Sequence, residues 1–227
     1  MGTVVNCRAK LSLSAPVLPA AIKLRETLPT VMEDHKADVN LSLGRIDSTT
    51  MDYFGRIESI TAGTKGSPDL KYADTVARNY GFPHASIVFN NVNEAMRVLK
   101  DTVELMQSYD LALLSDMVVY ACMKNAKLRG RYVIRTGDPA DELFGGDGKD
   151  IAIWRFEHLQ SKRIATKLGL IVDHPYADER IVEIAKTLRK KDNVRYVDGN
   201  VPSDLFEYYR RKQNAIKSTR YRWTKFL

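Results

Sequence analysis

The pattern of apolar and polar positions predicts strands and helices in alternation. Short apolar runs in "ADVNLSL", "IESITAG", "HASIVFN" and "RYVIRTG" are read as four strands. A leading amphipathic helix is expected over "APVLPAAIKLRETLPTVMEDH". Between the strands lie "SPDLKYADTVARNYG", with Pro68 in its first turn and Gly81 at its end, "NVNEAMRVLKDTVELMQSY" after an Asn cap, and "LLSDMVVYACMKNAKLRG". Crossovers of this length join parallel neighbours, so the pattern predicts an α/β fold: an open parallel sheet with helices on both faces. After Gly148 the texture reads as continuous helix, "DIAIWRFEHLQSKRIATKLG", "ADERIVEIAKTLRKK" and "SDLFEYYRRKQNAIKS", with "HPYAD" and "DGNVPSD" as turns. The expected organisation is an N-terminal extension over 1–36, an α/β core over 37–149 and a C-terminal helical part over 150–227.

Composition narrows this picture. The 227 residues are 44% hydrophobic and 28% charged, enough for one sizeable domain with a helical appendage. No apolar run approaches the ~18 residues of a membrane span, and the N-terminal stretch lacks a signal core, so a cytoplasmic protein without membrane attachment is expected. Cys7 and Cys122 are too few and too far apart for a disulfide framework or a zinc site. The net charge of +7 suits a polyanionic ligand, either the phosphates of a nucleotide or a nucleic acid. The surplus gathers in "LRKKDNVR" and "YYRRKQNAIKSTRYRWTK", which also reads as a solvated helix face.

In an open parallel sheet, ligands bind beyond the carboxyl ends of the strands, which directs attention to the loops after the first and fourth strands. The first, "LGRIDSTT", offers a glycine and hydroxyls at the opening of a helix, a place where backbone N–H groups hold phosphate oxygens. No Gly-Lys-Ser or Gly-Lys-Thr occurs, which disfavours an ordinary P-loop. Asp47 reads as a hard oxygen ligand or a helix cap. The second loop, "TGDPADELFGGDG", holds Asp138, Asp141 and Glu142; one carboxylate from each loop would bridge a magnesium ion carrying ATP phosphates, or the three cap the next helix. His35, His84, His158 and His174 show no ligand spacing and are read as structural or surface residues.

"TGDPADELFGG" resembles the "SGEGADELFGG" segment of the synthetase domain of asparagine synthetases and β-lactam synthetases, N-type ATP pyrophosphatases of the PP-loop superfamily. Other segments follow in family order: "GTKGSPDL" resembles Gly-x-x-Gly-Ser-Pro-Asp-Leu, "HPYAD" is similar to Val-Pro-Phe-Leu-Asp with Pro175, Tyr176 and Asp178 in register, and "KDNVR" resembles Lys-x-x-Leu-Arg. "VPSDLFEYYRRKQNAIKST" is similar to an ending in which a lysine precedes a Gly-Ser turn. The resemblance spans roughly Ala37 to Thr219 and implies a Rossmann-like fold of the adenine nucleotide α hydrolase kind.

It also implies chemistry. A substrate carboxylate is adenylated by ATP with magnesium, pyrophosphate leaves, and an amine attacks the acyl-adenylate. By position, Asp47 and Asp141 would hold the metal; Leu43, Gly44, Arg45, Asp47 and Ser48 would receive the pyrophosphate; Gly63, Gly137 and Lys191 would contact the nucleotide. Lys212 and Asp138 would act at the reacting centre, Lys212 as an electrostatic group. The departures from the family pattern sit in the same places. Leu43 and Arg45 stand where the pyrophosphate loop has Ser and Gly, Pro139 replaces a Gly, Asp173 an Arg and Ser218 a Gly.

Glutamine-dependent members begin with Cys after Met. Here Gly2 follows, and about forty residues precede the end of the first strand, so free ammonia, an amine or a separate glutaminase subunit is the expected nitrogen donor. Three functions follow from the sequence: an ATP-dependent ligase acting on a small carboxylate, possible as a homodimer; an ATP-binding protein that has lost catalysis and serves as a sensor or partner subunit; and a PP-loop enzyme that modifies tRNA or other RNA, for which "RRKQNAIKSTRYRW" interleaves cations with Tyr221 and Trp223.

Overall fold

The computed structural model describes residues 19–42, 46–108, 113–144 and 159–187. In chain order these residues form α1 (Pro19–Asp34), β1 (Val39–Leu41), α2 (Ile46–Gly55), β2 (Ser59–Thr64), α3 (Pro68–Tyr80), β3 (His84–Phe89), α4 (Val92–Met106) and α5 (Leu113–Leu128). They continue with β4 (Val133–Thr136), α6 (Ala140–Phe144), α7 (Gln160–Leu168), β5 (Ile171–Asp173), a 3₁₀ turn (Pro175–Ala177) and α8 (Glu179–Lys186). Local chemistry sets several ends. Ser67 caps α3 by accepting from the Asp69 amide, and Pro68 occupies the first turn, where a missing N–H costs nothing. Gly81 and Gly169 close α3 and α7 in the left-handed conformation, at φ 72° and 68°.

The five strands pair in parallel in the order β3-β2-β1-β4-β5, so the expected open parallel sheet is the observed one. β5 corrects the expectation of continuous helix after Gly148. Ile171–Asp173 pairs with β4 on one side only, and three residues are too few to show an alternation against neighbouring helical periods. The proline of "HPYAD" opens the 3₁₀ turn, and Asp178 caps α8 by accepting from the Arg180 amide. Among the described residues, no helix is long and apolar enough to cross a membrane.

The two sheet faces differ in kind. On one, Val39, Leu41, Ile60, Ala62 and Ile134 meet the apolar sides of α5 and α7 in the main core, which includes Cys122, a buried thiol whose pKa burial pushes up. On the other, a polar row crosses the sheet at one register: His84, Ser59, Asn40, Arg135 and Asp173 are successive lateral partners. Ser59, Asn40 and Arg135 are fully buried, so each needs a partner. Ser59 Oγ and His84 Nδ1 lie 2.7 Å apart, and Asn40 donates to Asp52 of α2 at 2.9 Å. Arg135 Nε donates to Asp173 at 3.4 Å, and its Nη2 to the carbonyls of Met32 and His35 at the end of α1. His35 in turn lies between Asp173 and Asp178, at 2.6 and 3.3 Å. Outside this row α1, α2, α6 and α8 share a second core around Leu28, Met51, Leu143, Tyr176 and Ile181.

Two predictions test the polar row. A Cβ at Gly55 would lie 2.5 Å from Arg135 Nη1, and that guanidinium is pinned by its bonds to α1 and β5. Gly55→Ala is expected to lose about 1–3 kcal/mol in urea unfolding, the cost of overpacking a closed site. Burial pushes the Asp52 carboxyl up to about 7, only partly offset by its bonds to Ser42 and Asn40 and by Arg135. The folded state therefore holds a proton that the unfolded chain releases near pH 4, and stability falls as pH rises from about 4 to about 7. The stability of Asp52→Asn relative to wild type should climb through that window, by up to roughly 4 kcal/mol, and level off above it; a flat difference across pH would contradict the buried-acid reading.

Candidate active site at the carboxyl ends of β1 and β4

The strand order reverses direction between β1 and β4, and such a switch point opens a crevice beyond the strand ends. Leu41 of β1 is level with Thr136 of β4, so the loops that follow start side by side. A cleft there is lined by Leu41, Asp47, Ser48, Val119, Thr136, Gly137, Asp138 and Ser161. Asp47 and Ser48 belong to the first turn of α2, whose N–H groups and dipole favour an anion. Asp47 therefore lies inside the helix rather than at its cap.

The closest approach in the cleft joins the two loops. A side chain at Gly137 would start 3.0 Å from Asp47 Cγ and closer still to Oδ2, so the absence of a Cβ is what admits the Asp47 carboxylate against the end of β4. Beyond Gly137 the chain turns through a cis Asp138–Pro139 peptide into α6, with the Ala140 amide donating to the Gly137 carbonyl at 3.0 Å. Asp138 is half-buried at the cleft, and Asp141 is the second residue of α6.

The structure thus gathers Asp47, Ser48, Gly137 and Asp138 on one cleft, with Asp141 in the adjoining helix. Gly63 lies one residue from the end of β2, and its close neighbours are Ser67 and Leu70 of the α3 start. Leu43, Gly44, Arg45, Lys191 and Lys212 lie outside the described residues, as do "KDNVR", "RRKQNAIKSTRYRW" and His158.

Four residues at or against the site were not assigned to it from the sequence, where Tyr176 counted only toward the family resemblance and His174 was read as structural or surface. Thr136 places a buried hydroxyl at the cleft with no hydrogen-bond partner among the described residues, and its place directly before Gly137 was the available signal. Ser161 arrives from α7 and lies 3.0 Å from His174 Nε2. Burial holds His174 below its ordinary value, opposed by the charges of Asp138 and Asp173, so its imidazole is neutral near pH 7. Tyr176, fully buried, donates its hydroxyl to the Asp47 carbonyl at 3.0 Å. These contacts join positions 13 and 129 residues apart, beyond any local pattern.

An open parallel sheet with a two-loop crevice at its switch point defines an α/β protein of Rossmann-like kind, with its ligand crevice beyond the strand ends. The particular family follows from comparison with known proteins: the chain matches the Asparagine synthase family over residues 30–221 and belongs to that family. It is 22% identical over 199 residues to the glutamine-hydrolyzing asparagine synthetase B of Escherichia coli, covering 75% of this chain and 36% of that protein. It is 25% identical over 164 residues to a probable glutamine-hydrolyzing asparagine synthetase of Dictyostelium discoideum, covering 64% and 29%. The chain therefore spans about a third of the length of these relatives. Among solved structures, an ammonia-dependent NAD synthetase from Campylobacter jejuni superposes with a TM-score of 0.40 at 14% identity, over 92% of this chain and 86% of that one.

The approach of Asp47 to Gly137 yields a direct test. Gly137→Ala should cost about 1–3 kcal/mol of stability through the clash with Asp47. Combining it with Asp47→Ala should recover most of that loss, giving a double-mutant coupling of at least about 0.5 kcal/mol in urea titrations. Simple additivity would place the two residues apart.

Proposed function

We propose that this chain is an ATP-dependent, amide-forming synthetase unit that activates a carboxylate by adenylation. The observation that carries the reading is the Asp47 carboxylate lodged against Gly137, which joins the phosphate-facing turn of α2 to the acid-bearing loop after β4. The unpartnered Thr136 hydroxyl and the first-turn amides of α2 supply donors to the same cleft.

The donor set fits magnesium. It is composed of hard oxygens, and among the described residues no group of three or more His, Cys, Asp or Glu gathers into a metal cluster, so the ion would be shared between Asp47, Asp141 and nucleotide phosphates. When bound, magnesium supplies charge neutralisation at the phosphates. The chain's own residues do the rest. By their positions in the family pattern, Leu43, Gly44 and Arg45 would join Ser48 and the α2 turn in receiving the pyrophosphate, and Lys191 would join Gly63 and Gly137 at the nucleotide. Lys212 balances the charge that builds at the α-phosphorus as the substrate carboxylate attacks it and the bond to pyrophosphate breaks. In the second half the nitrogen of ammonia or an amine attacks the acyl carbon, the bond to AMP breaks, and Asp138 stands where the departing proton is taken up. The nitrogen comes as free ammonia, from an amine substrate or from a separate glutaminase subunit.

The departures Leu43, Arg45 and Pro139 favour a second reading, an ATP-binding protein without turnover. One experiment separates them. Incubation with ATP, magnesium, ammonia and a panel of carboxylic acids should release pyrophosphate, and Asp47→Asn should lower the rate by at least about 10- to 100-fold, the usual effect of disturbing a metal ligand shell. Magnesium-ATP binding by calorimetry with no pyrophosphate above the Asp47→Asn control would withdraw the ligase in favour of the binding protein.

A further inference from the structure

Tyr176 touches both halves of the crevice while lining neither. Its hydroxyl donates to the main-chain carbonyl of Asp47, in the first turn of α2, at 3.0 Å. Its ring meets Phe144, the last residue of α6, edge-on, with centroids 6.4 Å apart and planes at 81°. Phe144 ends the short helix that carries Asp141 and Glu142, and Met51, one helical turn after Asp47, belongs to the same buried cluster. Tyr176 is 2% exposed, and the hydroxyl also bonds Thr50 of α2; burial pushes its pKa well up, so it stays a donor.

The base of this side chain is as constrained as its tip. The 3₁₀ turn that bears it closes by bonds from Ala177 to His174 and from Asp178 to Pro175. On one side Asp173 is held by buried Arg135, and on the other Asp178 is held by His35 and Arg180. The turn that follows β5, held at both ends, therefore presents one hydroxyl to the α2 turn and one ring to the end of α6.

We infer that Tyr176 is a positioning residue of the crevice: its hydroxyl on the Asp47 carbonyl and its ring on Phe144 set the spacing between the α2 turn and the α6 loop. The inference rests on the proposed nucleotide role of the crevice. The spacing matters because a ligand bridging both loops is held well at one separation only, and a backbone carbonyl anchored from outside the helix fixes where the Asp47 side chain starts. The hydroxyl is separable from the packing, since Phe keeps the ring and removes only the hydroxyl with its bonds to the Asp47 carbonyl and to Thr50.

The test uses the whole chain. Calorimetric titration of wild type and Tyr176→Phe with ATP, in magnesium and in EDTA, is paired with hydrogen exchange of the unliganded proteins. Loss of the neutral hydrogen bond to the Asp47 carbonyl, together with the one to Thr50, predicts a magnesium-ATP Kd about 3- to 10-fold higher, metal-free ATP binding changed by less than about twofold, and faster exchange in the first turns of α2. A purely structural role would lower the melting temperature and leave the magnesium-ATP Kd where it was, which overturns the inference. Should Tyr176→Phe fail to fold, Phe144→Leu decides, since it keeps the hydroxyl bond and loosens the other contact: a weakened magnesium-ATP Kd supports the inference and an unchanged one overturns it. A wild-type chain that binds no magnesium-ATP removes the nucleotide role and the inference together, whereas wild-type binding that both variants preserve removes the inference alone.

Discussion

A buried guanidinium governs this fold. Arg135 sits in the middle of β4 at 2% exposure, where an unpaired charge would be untenable, and its partners come from α1, β5 and the room left by Gly55. Because side chains alternate along a strand, slipping β4 by one residue would turn Arg135 into the apolar core of α5 and α7 and bring Ile134 onto the polar row. The row therefore fixes register across the sheet. With register fixed, Thr136 and Gly137 stand level with the end of β1, and the geometry of the crevice follows from a charge that never reaches it.

The same charge gives a partner to one departure from the family pattern. Asp173 stands where that pattern has Arg, and in the structure its carboxylate accepts from Arg135 of β4. Asp173 also holds His35, and through it the end of α1 is tied to the turn before α8. Position 173 is thus committed to the scaffold. At position 176, Tyr in place of the pattern's Phe adds a hydroxyl that reaches the backbone of Asp47.

Strands, helices and the two candidate loops were legible because each rests on a local signal: apolar runs for β1 to β4, Ser67-Pro68 and Asn91 for helix starts, glycines at the loops. β5 was not legible, because its apolar run, Leu170 to Val172, is only three residues long and ends at a paired Asp, too short to stand out from the helical patterns around it. The polar row was hidden for a related reason. Asn40, Ser59 and Arg135 look like surface positions in an alternating strand, and only the packing of α1 and α2 over them makes them interior. At the site, Asp47 and Gly137 came from the loop motifs, whereas Ser161, His174 and Tyr176 depend on contacts between distant segments.

The electrostatics of the crevice then constrain how an anion enters it. The described cleft presents the carboxylates of Asp47 and Asp138, and the nearby imidazole of His174 is held neutral by burial. Arg135, the cation of the neighbouring strand, is spent on Asp173 and the end of α1. Among the described residues the cleft is acidic, so under the proposed function a triphosphate would need positive charge that arrives with it or comes from the basic residues assigned to the site, Arg45, Lys191 and Lys212, because the first-turn amides of α2 offer only partial charge. A divalent ion held by Asp47 would supply such charge at the phosphates. Under the proposed function, nucleotide binding would then depend on the metal, and the placement of Asp47, with Gly137 on one side and Tyr176 on the other, would bear on how strongly.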